Sequence, residues 1–179
     1  TRTKLNLKRS TGKPNRLTKL LAKWPPGAVY TSSWLKERGY SPDLINGYKK
    51  SGWVTSLGRG AYVRFDEDPT WEGGVYALQD QLELPIHVGG LTALLLQGYG
   101  HYISPKLNKC HLYSSQKLKL PKWFRSYDWK MKMVFHISTM FDTANTGIKV
   151  TNRNNIPIRM AGPERAILEM LSHVDSDAS

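Results

Sequence analysis

Glycine and proline cut the first third of this chain into pieces too short for anything but small elements. Pro25-Pro26-Gly27, Gly39, Ser41-Pro42, Gly52 and Gly58-Arg59-Gly60 all fall within its first 65 residues. Proline lacks the N–H that a helix interior needs, and glycine ends helices by taking the left-handed conformation. Between these stops, three stretches read as helices. Leu17, Leu20, Leu21 and Trp24 recur at i, i+3, i+4 and i+7, one face of a helix that begins at Asn15. After a short extended piece at Val29–Tyr30, Ser32 or Ser33 can cap a second helix through Arg38, with Trp34 and Leu35 inward and Lys36 and Arg38 outward. Ser41 can cap a third, with Pro42 at its first position, where a missing N–H costs nothing. Leu44, Ile45 and Tyr48 make its apolar side; Asp43, Asn46, Gly47 and Lys50 fall opposite, with Lys49 at the flank. Trp53–Leu57 and Ala61–Phe65 read as strands, joined by the tight turn of Gly58-Arg59-Gly60.

Three short helices followed by a hairpin is the order of a winged helix-turn-helix, in which the third helix enters the major groove and the hairpin lies beside it. The outward face of helix three carries suitable chemistry. Asn46 can pair with adenine N6 and N7, and Lys50 can donate to guanine O6 and N7. Gly47 between them permits close approach, and Asp43 shares that face. Arg59 at the hairpin tip can reach a phosphate or a narrow minor groove. Ser41, Lys49 and Arg64 are candidate phosphate contacts, joined by Arg16 and by Lys8 and Arg9 of the segment before the first helix. Each of these alone reads as an ordinary solvated side chain; helix order, hairpin and charge together point to DNA. The same architecture can also hold RNA or a protein.

The charge is segregated. Residues 1–65 hold 14 Lys+Arg and two acids, Glu37 and Asp43, whereas residues 66–179 hold 12 of each sign. The whole net charge of +12 therefore belongs to the first third, which points to a polyanionic partner for that part. Residues 1–14 read as a basic arm, docked or solvated, and residues 66–70, acidic and containing Pro69, as a linker.

Residues 71–179 mix helices and strands. Trp71–Leu82 looks helical despite Gly73 and Gly74, Ile86–Val88 reads as a strand, and Leu91–Gln97 as a fully buried helix. Extended runs follow at His111–Ser114, Trp129–Ile137 and Ile148–Asn152. Ile158–Met160 is a further short strand, which Pro157 suggests lies at a sheet edge. Pro163 opens a helix whose inward face is expected to carry Ala166, Ile167, Met170, Leu171 and Val174. The aromatic group Trp123, Phe124, Tyr127 and Trp129 reads as core and interface rather than as a base-stacking platform. The expected fold class is thus α+β: a winged helix-turn-helix over 15–65 and a mixed α/β interaction domain over 71–179.

Catalytic signatures are missing. No Walker loop, Gly-x-Ser-x-Gly or His-Glu-x-x-His occurs, and none of His87, His101, His111, His136 and His173 pairs with another at metal-ligand spacing. Adjacent Cys110 and His111 on a strand point to opposite faces and make no nucleophile–base pair. No enzyme, metal or cofactor is expected; the alternative is a nucleic-acid-processing nuclease targeted by the winged helix. With one cysteine, no signal peptide and no apolar run long enough to span a bilayer, a cytoplasmic, nucleoid-associated protein is expected.

The run Ser41-Pro42-Asp43-Leu44-Ile45, with Tyr48, Ser51-Gly52-Trp53-Val54 and Leu57-Gly58-Arg59-Gly60-Ala61-Tyr62, resembles the N-terminal domain of the AbiE-type antitoxins. These are the transcriptional-regulator halves of type IV toxin–antitoxin modules of abortive infection, a form of phage defence. His87-Val88-Gly89-Gly90-Leu91-Thr92-Ala93-Leu94, with Gly98, is similar to the opening of that family's second domain. The likeness covers about residues 15–103. It implies an autorepressor that binds inverted repeats in its own promoter; two copies touching through their second domains are then expected to cooperate on the DNA. It also implies antagonism of a cognate nucleotidyltransferase-like toxin, without implying that the two touch. No single residue can be assigned to neutralisation from it. Relatives usually run longer, so further residues after Val174 are expected.

Overall fold

The computed structural model describes residues 15–100, 107–141 and 145–174. They form a mixed α+β structure with two sheets. In the first half, α1 (Arg16–Ala22), β1 (Tyr30–Thr31), α2 (Ser32–Glu37) and α3 (Pro42–Lys50) precede the hairpin of β2 (Val54–Gly58) and β3 (Ala61–Arg64). β1 adds to β3, giving a three-stranded antiparallel sheet in the order β1-β3-β2. Its helices pack on it through Leu20, Leu35 and Ile45, all buried beside Trp24, Val29, Val54 and Val63. The caps act as the local sequence suggests, except that Thr31 rather than a serine caps α2, its hydroxyl accepting from Trp34 N–H.

Next, α4 (Trp71–Tyr76) runs without a break into a π-helical turn, Ala77–Gln81. Gly73 and Gly74, unwelcome in a helix on propensity, are needed here for space. A Cβ on Gly73 would sit 2.0 Å from the Gly27 carbonyl oxygen, and one on Gly74 2.5 Å from the Trp129 ring. The preceding stretch is bonded to the same turn: Thr70 N–H donates to Gly27 C=O, and Glu67 accepts from Gly27 N–H.

The second sheet is five-stranded, in the order β6-β5-β4-β8-β7. Its strands are β4 (Ile86–Val88), β5 (Lys109–Ser114), β6 (Lys132–Ile137), β7 (Ile148–Arg153) and β8 (Ile156–Ala161). β4 pairs antiparallel with β5 and parallel with β8; β5 and β6 run parallel, and β7 and β8 form a hairpin. Helices α5 (Gly90–Leu96), α6 (Lys122–Ser126) and α7 (Pro163–Val174) complete the element order. Trp123, Phe124 and Trp129 are buried, and the Trp129 indole donates to the Phe124 carbonyl at 2.7 Å. Buried side chains from Leu20 of α1 to Ala166 of α7 form one continuous cluster.

Three expectations for the second half need correcting. α5 is not fully buried: Gly90, Thr92, Ala93 and Leu94 are inside, while Leu91, Leu95 and Leu96 are half-exposed. β8 is not an edge strand, because β4 and β7 flank it. Pro157 is tolerated because the register with β4 is confined to Met160, so β8 has a strand on one side only at the proline. Finally, α7 does not bury its most apolar face. Arg165, Ala166 and Glu169 are inside, while Ile167, Leu168 and Leu171 are 44, 46 and 52% exposed. The helix is turned by one residue, about 100°, from the orientation that hydrophobicity alone selects. The cause is a hydrogen-bond network around Glu169.

Candidate nucleic-acid interface

The third helix is fixed at its start by Ser41, whose hydroxyl oxygen accepts from Leu44 N–H at 3.2 Å. Ile45 is buried, Tyr48 is half-buried against the core, and Leu44 is half-buried. That leaves Asp43, Asn46, Gly47, Lys49 and Lys50 exposed on one continuous surface. Among the described residues, nothing beyond the helix's own adjoining backbone lies within 4 Å of the place a Cβ on Gly47 would occupy, so bare backbone faces out between Asn46 and Lys49. Arg16, exposed at the start of α1, joins this end: its carbonyl accepts from the Tyr40 hydroxyl at 3.3 Å, one residue before Ser41.

The hairpin is in register from Val54↔Arg64 to Ser56↔Tyr62, then shifts so that Gly58 faces Ala61. Gly60 takes φ +84°, which only glycine adopts readily, and closes a turn that leaves Arg59 exposed at the tip. Asn46, Lys49, Lys50 and Arg59 are therefore exposed on neighbouring elements, since α3 packs on β2. Arg64 is differently employed. Its guanidinium donates to the Trp24 carbonyl at 3.2 Å and pairs with Glu67 at 3.2 Å, which ties β3 to the α1 end. Lys8 and Arg9 lie outside the described residues.

A second constellation was not legible in the sequence. Glu169 is fully buried, with Oε1 2.7 Å from His87 Nε2 and 2.7 Å from Arg165 Nε, and Oε2 accepting from Gly90 N–H at 3.1 Å. Burial alone pushes this carboxyl up, but the bonds from His87, Arg165 and Gly90 outweigh it and hold the carboxyl below its ordinary range. Gly89 and Gly90 leave the room: a Cβ on Gly89 would sit 2.1 Å from Glu169 Oε2, and one on Gly90 2.6 Å from the Tyr113 hydroxyl. The His87-Val88-Gly89-Gly90 run is thus a carboxylate cradle that docks α7 on the sheet. The available signal was Glu169 itself, a carboxylate set between Ala166 and Met170 in a helix that packs.

Across β5 and β6, His111 Nδ1 and His136 Nε2 meet at 2.8 Å, a pairing that a separation of 25 positions had hidden. Among the described residues no group of three or more His, Cys, Asp or Glu is placed to hold a metal ion. Cys110 is buried on the opposite face of β5, and burial, with Glu72 adding to it, pushes its thiol up. Among the described residues no helix is long and apolar enough to cross a membrane.

Two family models match the chain, and both are of one family. The family model for the AbiEi antitoxin N-terminal domain, a transcriptional regulator, matches residues 13–105. The model for the AbiEi antitoxin and transcriptional regulator of type IV toxin–antitoxin systems matches residues 107–179. No curated protein matches the sequence. Among solved structures, the fold is similar to the RV2827C protein from Mycobacterium tuberculosis, at 15% identity and a TM-score of 0.50 over 89% of this chain. This chain spans 64% of the length of that one. The two family matches, meeting at residue 106 and together running from residue 13 to residue 179, place this chain in the AbiEi antitoxin family of transcriptional regulators.

Proposed function

We propose that residues 15–65 act as a winged helix-turn-helix and that the protein is a DNA-binding autorepressor rather than an enzyme. It recognises inverted repeats in its own promoter. In this reading α3 enters the major groove, where Asn46 and Lys50 read base edges. Ser41, Lys49 and Arg16 hold phosphates, with Lys8 and Arg9 adding contacts from the arm, and Arg59 follows the backbone or minor groove beside them. Arg64, already bound to Trp24 and Glu67, serves as a brace and adds only long-range charge. Asp43 stands at the first turn of α3 and discriminates by repulsion. The observation that carries this reading is the exposed polar face of α3 beside the exposed Arg59 turn, in the part of the chain that holds the net charge.

Residues 71–179 supply the antitoxin function, which opposes a cognate nucleotidyltransferase-like toxin. Family membership supports this role. The division is one of labour, with 66–70 as the join, since buried side chains run continuously through both parts. Two copies on an inverted repeat assist one another.

The test is a salt-dependent anisotropy titration on DNA from upstream of the protein's own gene. Neutralising about five to eight phosphates gives a log–log slope of roughly −5 to −7. Asn46→Ala or Lys50→Ala should cost specific sites about 1–3 kcal/mol and relax preference at one base pair, whereas Lys49→Ala should weaken all sequences alike. A flat salt response, or identical behaviour of both classes, sinks the reading.

A further inference from the structure

The neutrality of residues 66–179 is an average over a strongly uneven surface. Residues 115–132 alone hold six Lys+Arg against one acid, Asp128. Asp128 is spent on Lys130, with Oδ2 2.6 Å from its Nζ. Lys117, Lys119, Lys122 and Arg125 are exposed, and among the described residues none of them meets a carboxylate. Their outward placement is set by what lies between them. Leu118 and Leu120 are half-buried against the core, so Lys117 and Lys119 face out. Trp123 and Phe124 are buried, so α6 presents Lys122 and Arg125.

The place of this strip matters more than its charge. α6 packs on β2 at the hairpin turn: a Cβ on Gly58 would lie 2.9 Å from Trp123 Cβ and 3.4 Å from Trp123 Cα. Gly58 precedes Arg59 and Trp123 follows Lys122, so one tight backbone contact holds the two cationic elements together. Exposed cations on adjoining elements, with Asp128 already paired to Lys130, raise the local potential, and a polyanion is the partner such a potential attracts.

We propose that Lys117, Lys119, Lys122 and Arg125 form a second DNA-backbone contact, extending the interface of α3 and Arg59 from the hairpin onto the second half. The inference rests on the DNA reading above. The strip contacts phosphates and reads no bases: its cations lie on a short helix and the loop before it, and phosphate contacts carry no sequence information. The second half therefore takes part in DNA binding directly, besides any role towards a toxin.

The experiment uses the whole chain and a short labelled duplex of mixed sequence, titrated by anisotropy across a range of KCl. The combined variant Lys117→Gln, Lys119→Gln and Lys122→Gln removes no ion pair found among the described residues, and unchanged thermal melting checks that the fold is kept. Its log–log salt slope should be shallower by about two to three, with binding at least about tenfold weaker at about 0.1 M salt. Lys122→Gln alone should lower the slope by about one. Lys149→Gln, which removes the same charge from β7 at the far edge of the sheet, should leave it unchanged. A native slope in the triple variant overturns the proposal, as does an equal effect of Lys149→Gln and Lys122→Gln. Lys49→Gln with Lys50→Gln and Arg59→Gln separates the two readings. If that variant loses slope while the strip variant does not, the strip falls and α3 stands. If only the strip variant loses slope, α3 is not the DNA element. If the native chain binds no duplex, both fall.

Discussion

Gln81 stands in for a strand beside Thr31. Its side-chain oxygen accepts Thr31 N–H at 2.7 Å, and its amide nitrogen donates to Val29 C=O at 2.7 Å, so β1 is bonded on the side that β3 does not occupy. Two residues earlier, Gln79 does the same for the other sheet. Its oxygen accepts from Arg159 N–H at 2.7 Å, and its nitrogen donates to the carbonyls of Ile86 and Arg159. Two side-chain amides on one helical turn thereby connect both sheets.

Replacing Gln81 with leucine should expose how much this bond matters. The change leaves two buried backbone groups without partners, each at a cost of about 1–3 kcal/mol. Urea denaturation of the whole chain should show a loss of roughly 2–6 kcal/mol. A loss below about 0.5 kcal/mol, the range of ordinary surface changes, would mean that β1 does not depend on Gln81.

Glu169→Gln tests the cradle and its pH dependence. Removing one member of a buried charged network costs about 3–5 kcal/mol at neutral pH. Because the Glu169 carboxyl is held below its ordinary value of 4.5, its contribution is complete above that pH and fades as pH falls through the lowered value. Denaturation midpoints of native and variant chains should therefore be far apart near neutrality and converge in acid. A gap independent of pH would show that the carboxylate charge contributes nothing.

Glycine-to-alanine changes should have opposite signs at two helical positions. At Gly47, in the open, alanine should stabilise by roughly 0.5–1 kcal/mol. At Gly73 the same propensity gain meets a Cβ 2.0 Å from the Gly27 carbonyl, and overpacking of that kind costs about 1–3 kcal/mol or more. Thermal melts of the two variants decide it; a stabilised Gly73→Ala would contradict the close packing of α4 on the Gly27 turn.

Function should separate as stability does not. Lys50→Ala with Arg59→Ala should abolish reporter repression and leave rescue from the cognate toxin intact, because both residues are exposed and neither belongs to the second half. Loss of rescue in a folded double variant would show that repression and neutralisation share one surface.

The contrast between the two halves explains what was legible in the sequence. Ser41-Pro42, Gly52 and Gly58-Arg59-Gly60 act within a few residues of themselves, so α3, the hairpin and the exposed polar face followed from local rules. The orientation of α7 did not. It depends on His87, 82 positions from Glu169, and a periodicity argument confined to one helix cannot see that partner. The same limit hid the meeting of His111 with His136 and made Pro157 look like an edge. The basic strip escaped for a different reason: charge was summed over 114 residues when the relevant unit was 18.

The π-helical turn at Ala77–Gln81 makes chain length itself a constraint. Such a turn holds one residue more than an α-helical path would. Deleting Asp80 would rewind the segment to an α-helix along nearly the same path and make the two glutamines neighbours, about 100° apart around the axis. Gln79 and Gln81 could not then both find their partners in opposite sheets. Insertions and deletions ordinarily gather near where one functional part meets the next; in this chain, just past the join at 66–70, the residue count is not free to drift.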